Sequence, residues 1–265
     1  MFKAIISRIP ANYLFILQDI RKRYLPNSFH LKEQQHAANR LKFYSGFLKK
    51  DDLVFDVGAN LGNRVEVFLS LKCKVIAIEP QEACAAFLTW KFGNKIALIK
   101  SGMSDHSGVE EFFISDSHTI SSFSKDFINS VSDSGRFSNT SWKKKVTSEV
   151  STLENLIKQY GKPTFIKIDV EGYEPFVIRG LKSTINCVCF EYTVPELTDK
   201  SMECLEHLGS INSTYLFNYS AGETYDFELK EWVGLEEMKR IVCGKEFQGS
   251  SGGDIYAKIP NSLPI

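Results

Sequence analysis

From Leu53 onward, short apolar runs alternate with longer stretches whose apolar residues recur every three or four positions. Runs of four to eight β-prone residues bounded by turn formers predict strands buried on both faces, here over 53–57, 74–80, 96–100, 165–169 and 185–192. Between them, 63–71, 81–92, 152–160 and 195–208 predict helices; Val65, Val67, Phe68, Leu69 and Leu71 give the first of these a sheet-facing side. Further strands are expected over 109–114, 214–218 and 254–259. Strand and helix in alternation predict an α/β domain over 51–265, a mostly parallel sheet with helices on both faces.

Three stretches stand outside that alternation. Residues 1–50 predict helices capping the core, with breaks at Pro10 and Pro26. Residues 115–141 are dense in serine, asparagine and aspartate with scattered phenylalanines. A polar loop of that length inside a compact domain points to a functional segment, and a lid over 115–145 is expected, with His118, Ser121 and Ser122 turned toward a substrate. Residues 227–242 read as a variable insertion.

The chemistry collects at the strand ends. Leu53-Val54-Phe55-Asp56-Val57-Gly58-Ala59-Asn60-Leu61-Gly62 runs from an apolar strand through an acid into a turn of small residues and then a helix. Such a turn lets a ligand come close to backbone, and the first N–H groups of the helix face the crevice beyond the strand. It is not the G-x-G-x-x-G fingerprint, because Asn60 stands where a second glycine would. The next strand ends at Glu79-Pro80, where a carboxylate can accept hydrogen bonds from both hydroxyls of a ribose. To this point a nicotinamide dinucleotide and S-adenosylmethionine fit equally. A third strand ends in Lys167-Ile168-Asp169-Val170-Glu171-Gly172-Tyr173-Glu174, and acids there suit orientation or deprotonation of a hydroxyl better than hydride transfer. Glu191 ends the following strand at the same sheet edge as Asp169. The two could share a hydroxyl proton or hold a divalent ion; metal is the less favoured, since two carboxylates without a third ligand make an incomplete site.

In order and spacing, 55–62, Ala77-Ile78-Glu79-Pro80, Gly102-Met103-Ser104-Asp105-His106-Ser107-Gly108 and 166–174 resemble the FkbM family of S-adenosylmethionine-dependent methyltransferases. The resemblance covers roughly 50–195, its most specific part is the Lys167–Gly172 run, and 254–258 is similar to the family's closing strand. It implies a Rossmann-like class I methyltransferase fold with a seven-stranded sheet. By resemblance, Asp56, Gly58, Asn60 and Gly62 would surround the amino acid part of S-adenosylmethionine, and Glu79 its ribose. Ser104 and Asp105 would meet the adenine edge. Asp169 would be the base beside the methyl donor, supported by Lys167 and Glu171, with Glu191 and His118 in reserve. The acceptor implied is a hydroxyl of a small molecule or glycan, above all a sugar. At Asn63-Arg64 the chain departs from the family, where an aromatic often stands. The alternatives are a nicotinamide-dependent oxidoreductase, which leaves Lys167–Glu174 unexplained, and a binding module of the same fold without catalysis.

Composition narrows the partners. Lys plus Arg and Asp plus Glu stand at 32 each over 265 residues, so no global field draws nucleic acid. The run Lys143-Lys144-Lys145 reads as a solvated loop edge. Six cysteines lie scattered without a C-x-x-C pair, which signals neither zinc nor a disulfide framework and fits a reducing cytoplasm. The sequons at Asn139, Asn212 and Asn218 carry no weight without secretion. The apolar stretch 11–17 is too short to span a bilayer, and Arg21, Lys22 and Arg23 follow it instead of preceding it as in a signal peptide. Peripheral membrane contact is the lesser reading of that stretch. Nothing in the sequence specifies the oligomeric state.

Overall fold

The computed structural model describes residues 10–25 and 28–262; Pro26 lies outside them. The chain runs through α1 (Ala11–Tyr24), α2 (Ser28–Ser45), β1 (Leu53–Val57), α3 (Asn63–Ser70), β2 (Lys74–Ile78), α4 (Glu82–Phe92) and β3 (Ile96–Ile99). Next come β4 (Gly102–Met103), β5 (Gly108–Ile114), α5 (Lys125–Asp133), β6 (Lys144–Ser151), α6 (Leu153–Tyr160) and β7 (Phe165–Ile168). Then follow α7 (Glu174–Arg179), β8 (Cys187–Thr193), α8 (Thr198–Ile211), β9 (Leu216–Ala221), α9 (Leu235–Val242), α10 (Lys245–Gly249) and β10 (Gly252–Lys258).

Seven strands form one sheet in the order β3-β2-β1-β7-β8-β10-β9. From β3 to β8 every pairing is parallel, and β10 runs antiparallel to both of its neighbours. Chain succession turns around between β1 and β7, so a crevice opens beyond the carboxyl ends of those strands. This is the expected mostly parallel seven-stranded α/β fold.

The two faces of the sheet hold two cores, divided by the period of two along each strand. Phe55, Val57, Ile166, Ile168, Val188 and Phe190 belong to one core. Val54, Phe165, Cys187, Cys189 and Tyr256 belong to the other. The second core contains a cluster of aromatic rings and takes Tyr44, Phe47 and Leu48 from the end of α2 and the turn after it. The stretch expected only to cap the domain therefore contributes to its interior. Pro10 stands immediately before α1, which packs on α4.

Three expectations change. Strand 109–114, expected as one added strand in the alternation, pairs with β6 in a separate sheet of order β4-β6-β5. Lys144 and Lys145 open β6 and do not lie in a loop; Lys145 forms an ion pair with Glu111 across the strands. The expected lid is folded as well. Ser124 caps α5 by accepting from the Phe127 N–H, and Phe127 and Val131, one turn apart, pack with Ile120 and Leu197 into a small third core. The insertion over 227–242 ends in α9, whose Met238 and Val242 join the first core. Among the described residues no helix is long and apolar enough to cross a membrane.

Phe165 is fully buried, its ring 5.5–6.0 Å from those of Tyr44, Phe47 and Phe68. Phe165→Ala should lower unfolding free energy by about 3–5 kcal/mol in urea titration, and a loss near zero would mean that this aromatic core does not support the sheet.

Candidate active site

Beyond the ends of β1, β2, β7 and β8 lies a cavity of about 510 Å³. Asp56, Gly58, Asn60 and Glu79 line it on one side, and Asp169, Glu171, Glu191 and Asp254 on the other. His118 and Ser121 come to it from the segment after β5. Gly58 has φ +85°, and a Cβ there would stand 1.8 Å from the Asp169 carbonyl oxygen. Only glycine lets the turns after β1 and β7 pass this closely, which is what brings their acids together.

Lys167 organises the deep wall. Its ammonium is fully buried, 2.8 Å from Asp254 Oδ1 and 3.5 Å from Asp169 Oδ2, and it also donates to the Ile168 carbonyl at 3.1 Å. Arg64, at the start of α3, reaches the same two acids, 3.1 Å to Asp169 and 3.8 Å to Asp254. Burial alone would raise the Asp169 pKa, but the charges of Lys167 and Arg64 overcome it and hold the group down at about 2. Asp169 thus stays ionised and is a poor proton acceptor.

Glu171 and Glu191 behave oppositely. Burial first, then repulsion from Asp169 and from neighbouring glutamates, pushes both well above the ordinary carboxylate range. Oε2 of Glu191 is buried without a hydrogen-bond partner. Glu171 sits at φ +56°, a strained setting for a side chain of its length. Ser122 steadies it by donating from Oγ to the Glu171 carbonyl at 2.7 Å. Oxygens of Asp169, Glu171 and Glu191 lie within 4.8 Å of one another. The missing third carboxylate that counted against a metal is therefore present as Glu171, although Lys167 and Arg64 already neutralise Asp169.

On the opposite wall, Glu79 accepts from the N–H of Asn60 at 2.8 Å and of Gln81 at 2.7 Å. Burial raises it to about 7 against the pull of those two bonds. Burial likewise raises Asp56 to about 6, and Asp56 Oδ2 has no hydrogen-bond partner. His118 Nδ1 lies 2.7 Å from Asn60 Oδ1, so this nitrogen carries the proton and donates it. The His118 carbonyl accepts from the side chains of Asn60 and Gln81 at 2.9 and 3.2 Å. Burial lowers the His118 pKa and keeps the ring neutral.

Several expected residues stand elsewhere. Ser104 is fully buried, donating to Glu110 at 2.9 Å and lying 3.0 Å from the Tyr173 hydroxyl. Asp105 is paired with His106 and Arg179. Both belong to the joint between the small sheet and α7, outside the cavity lining. Gly62 also stands outside it: a Cβ there would meet the Phe92 ring at 2.4 Å, so packing of α3 on α4 demands this glycine. Lys167 cannot touch a substrate and positions the acids. Ser122 supports Glu171 and does not line the cavity. Sequence reasoning missed Arg64, whose signal was its place two residues past the Gly62 turn, at a helix start that faces the crevice.

Residues 56–216 match the family profile described as the methyltransferase FkbM domain. Among solved structures, a precorrin-6y C5,15-methyltransferase from Geobacter metallireducens GS-15 is similar at 13% identity and TM-score 0.41, over 84% of this chain and 87% of that one. A putative O-methyltransferase from Klebsiella pneumoniae is similar at 9% identity and TM-score 0.41, over 97% of this chain and 93% of its own. The plantazolicin methyltransferase BpumL in complex with SAH is similar at 10% identity and TM-score 0.42, over 94% of this chain and 97% of its own. No curated protein matches the sequence.

Removing one partner of a buried ion pair strands the other, so Lys167→Met should cost about 3–5 kcal/mol of stability. Denaturant unfolding of the purified variant reads this directly, and wild-type stability would show that Arg64 alone suffices to hold Asp169 and Asp254.

Proposed function

This chain belongs to the FkbM methyltransferase family, and from that premise we propose that it takes a methyl group from S-adenosylmethionine and delivers it to a hydroxyl of a small molecule or glycan, most simply a sugar. Family membership decides for methyl transfer over nicotinamide-linked hydride transfer and over a non-catalytic module. One observation carries the cofactor reading. Besides Glu191, two described residues lining the cavity each keep a buried polar atom without a partner, the acceptor Asp56 Oδ2 and the donor Arg64 Nε. An orphaned carboxylate oxygen and an orphaned guanidinium N–H in one cavity suit the ammonium and carboxylate of a free amino acid end. Glu79, with free lone pairs left on both oxygens, would take the ribose hydroxyls, while Gln81 and His118 wall that end.

S-adenosylmethionine supplies a methyl group already activated on a sulfonium. The protein's part is to align an acceptor oxygen behind it, exclude water and receive a proton. Asp169, the expected base, is too acidic for the last of these. It serves instead to orient the acceptor hydroxyl, and Glu191 in its deprotonated form takes the proton on its unpartnered oxygen. His118, tied to Asn60 and Gln81, belongs to the cofactor wall.

The charge of the cavity supports a neutral acceptor. Carboxylates lining it outnumber guanidiniums seven to two. Arg136, one of those two, is already taken by both oxygens of Glu196 and by the carbonyls of Val194 and Ser251. A phosphate-bearing substrate such as nucleic acid would meet repulsion there. The folded segment 115–145, tied to the β1 and β2 turns through His118 and to the loop after β8 through Arg136, supports the reading of a cover over the acceptor. All six thiols are free, which favours a reducing compartment such as the cytoplasm.

Titration calorimetry with S-adenosylhomocysteine should show saturable binding that Glu79→Ala weakens and NADH does not imitate. Because Asp56 must be ionised to accept an ammonium, affinity should rise as pH climbs through about 6, with proton release in that window, and in Asp56→Asn both effects should shrink to what Glu79 contributes near about 7. Absence of binding by well-folded protein would end the cofactor assignment. In a turnover assay, Glu191→Gln should lower kcat by roughly 10²–10⁴-fold. The wild-type rate should rise with pH as the raised carboxyl loses its proton, and a profile unchanged in Glu191→Gln would return the base to Asp169.

A further inference from the structure

Among the described residues, helix α1 packs on α4 by one side only. Phe15 meets the Phe87 ring edge-on at 6.1 Å, and Asp19 meets the Lys91 ammonium at 3.1 Å. The opposite side is apolar and open: Tyr13 is 57% exposed, Leu17 55%, Ile20 40% and Tyr24 72%. At 3.6 residues per turn these four fall within an arc of about 60°, a continuous stripe along the helix. Leu25, just past its end, is 71% exposed. Scattered exposed apolar residues are ordinary, but aligned large ones mark a surface that something covers.

The flanks of the stripe indicate what covers it. Arg21 falls on one side of it and Arg23 on the other, with Lys22 between them in sequence. The only acid of the helix, Asp19, is 14% exposed and turned toward Lys91 and Arg23. In a chain whose charges balance overall, Arg21 and Arg23 bracketing an apolar stripe form a local cationic rim. Tyrosines at both ends place amphipathic rings where apolar and polar media meet. An apolar stripe edged by arginine is the pattern of a helix that lies in a bilayer interface, with the cations over anionic headgroups.

We propose that α1 is a membrane-docking helix that seats this protein on an anionic lipid surface through Tyr13, Leu17, Ile20 and Tyr24, with Arg21 and Arg23 reading the headgroup charge. The docking helix also touches the active site: Phe15, on its inner side, lies edge-on to the His118 ring at 4.9 Å, and His118 lines the cavity. Seating on lipid thus places the cavity wall next to the interface, where an acceptor carried in the membrane would arrive. The docking itself does not depend on the identity of cofactor or acceptor.

The test is co-sedimentation of the full chain with phosphatidylcholine vesicles, with and without phosphatidylserine, beside light scattering of the protein alone. Binding should require phosphatidylserine and fall with added salt. Leu17→Asp with Ile20→Asp should abolish it, and Arg21→Glu with Arg23→Glu should weaken partitioning by at least about tenfold. These side chains are exposed, so circular dichroism should be unchanged in both variants. No binding to phosphatidylserine vesicles, or binding that survives Leu17→Asp with Ile20→Asp, overturns the proposal. A dimer in solution that those substitutions dissociate also overturns it, by giving the stripe to a second copy of the chain.

Discussion

A lysine with no exposure on the central strand β7 constrains everything around it. A buried ammonium must be paired, and Lys167 finds Asp254 from β10 and Asp169 from its own strand end, with Arg64 from α3 completing the set. Three elements distant in sequence are thereby tied at one point beyond the sheet. The arrangement holds only because Gly58 lets the β1 turn pass against the Asp169 carbonyl. Removing the ammonium would leave Asp254 and Asp169 facing one another with a single guanidinium between them.

The same network divides the acids by function. Two cations pull Asp169 down, while burial and then the negative charge so fixed push its neighbours Glu171 and Glu191 up, so carboxyls a few ångströms apart are driven in opposite directions. Pairs driven apart in this way are how a protein obtains a permanent charge and a proton acceptor from one residue type. Asp56 and Glu79, on the far wall, are raised by burial to about 6 and about 7. A cationic ligand would favour their ionised forms, coupling its binding to proton release.

The fold was legible because buried parallel strands announce themselves as apolar runs ending in acids, as at Asp56, Glu79, Asp169 and Glu191. What escaped reading had weaker patterns. Strand β6 is written KKVTSEVS, a mostly polar sequence that only its pairing with β5 defines. Helix α5 lay hidden in a serine-rich stretch whose signal was the one-turn spacing of Phe127 and Val131 behind the Ser124 cap. Arg64 read as a departure from a family pattern, and its role comes from contacts with Asp169 and Asp254, more than a hundred residues away. Ser104 and Asp105 matched a motif, yet the chain after β3 turns them toward Glu110 and Arg179 and away from the cavity. Strand ends are set by local sequence, whereas the direction of a loop is set by what it meets.

The wall over the cofactor end rests on such a meeting. Residue 118 has no strand or long helix to fix it; it stands in a single turn spanning His118–Ile120. Its position comes from three hydrogen bonds to Asn60 and Gln81 and from the Phe15 ring behind it. Asn60 and Gln81 are also the residues whose N–H groups hold Glu79. A shift of the turn would therefore disturb the bonds that orient the ribose acid, and a ligand that orders Glu79 would in turn order the turn. Because Phe15 is the outermost member of this chain of contacts, helix α1 lies one side chain from the cavity, although no residue of α1 lines it.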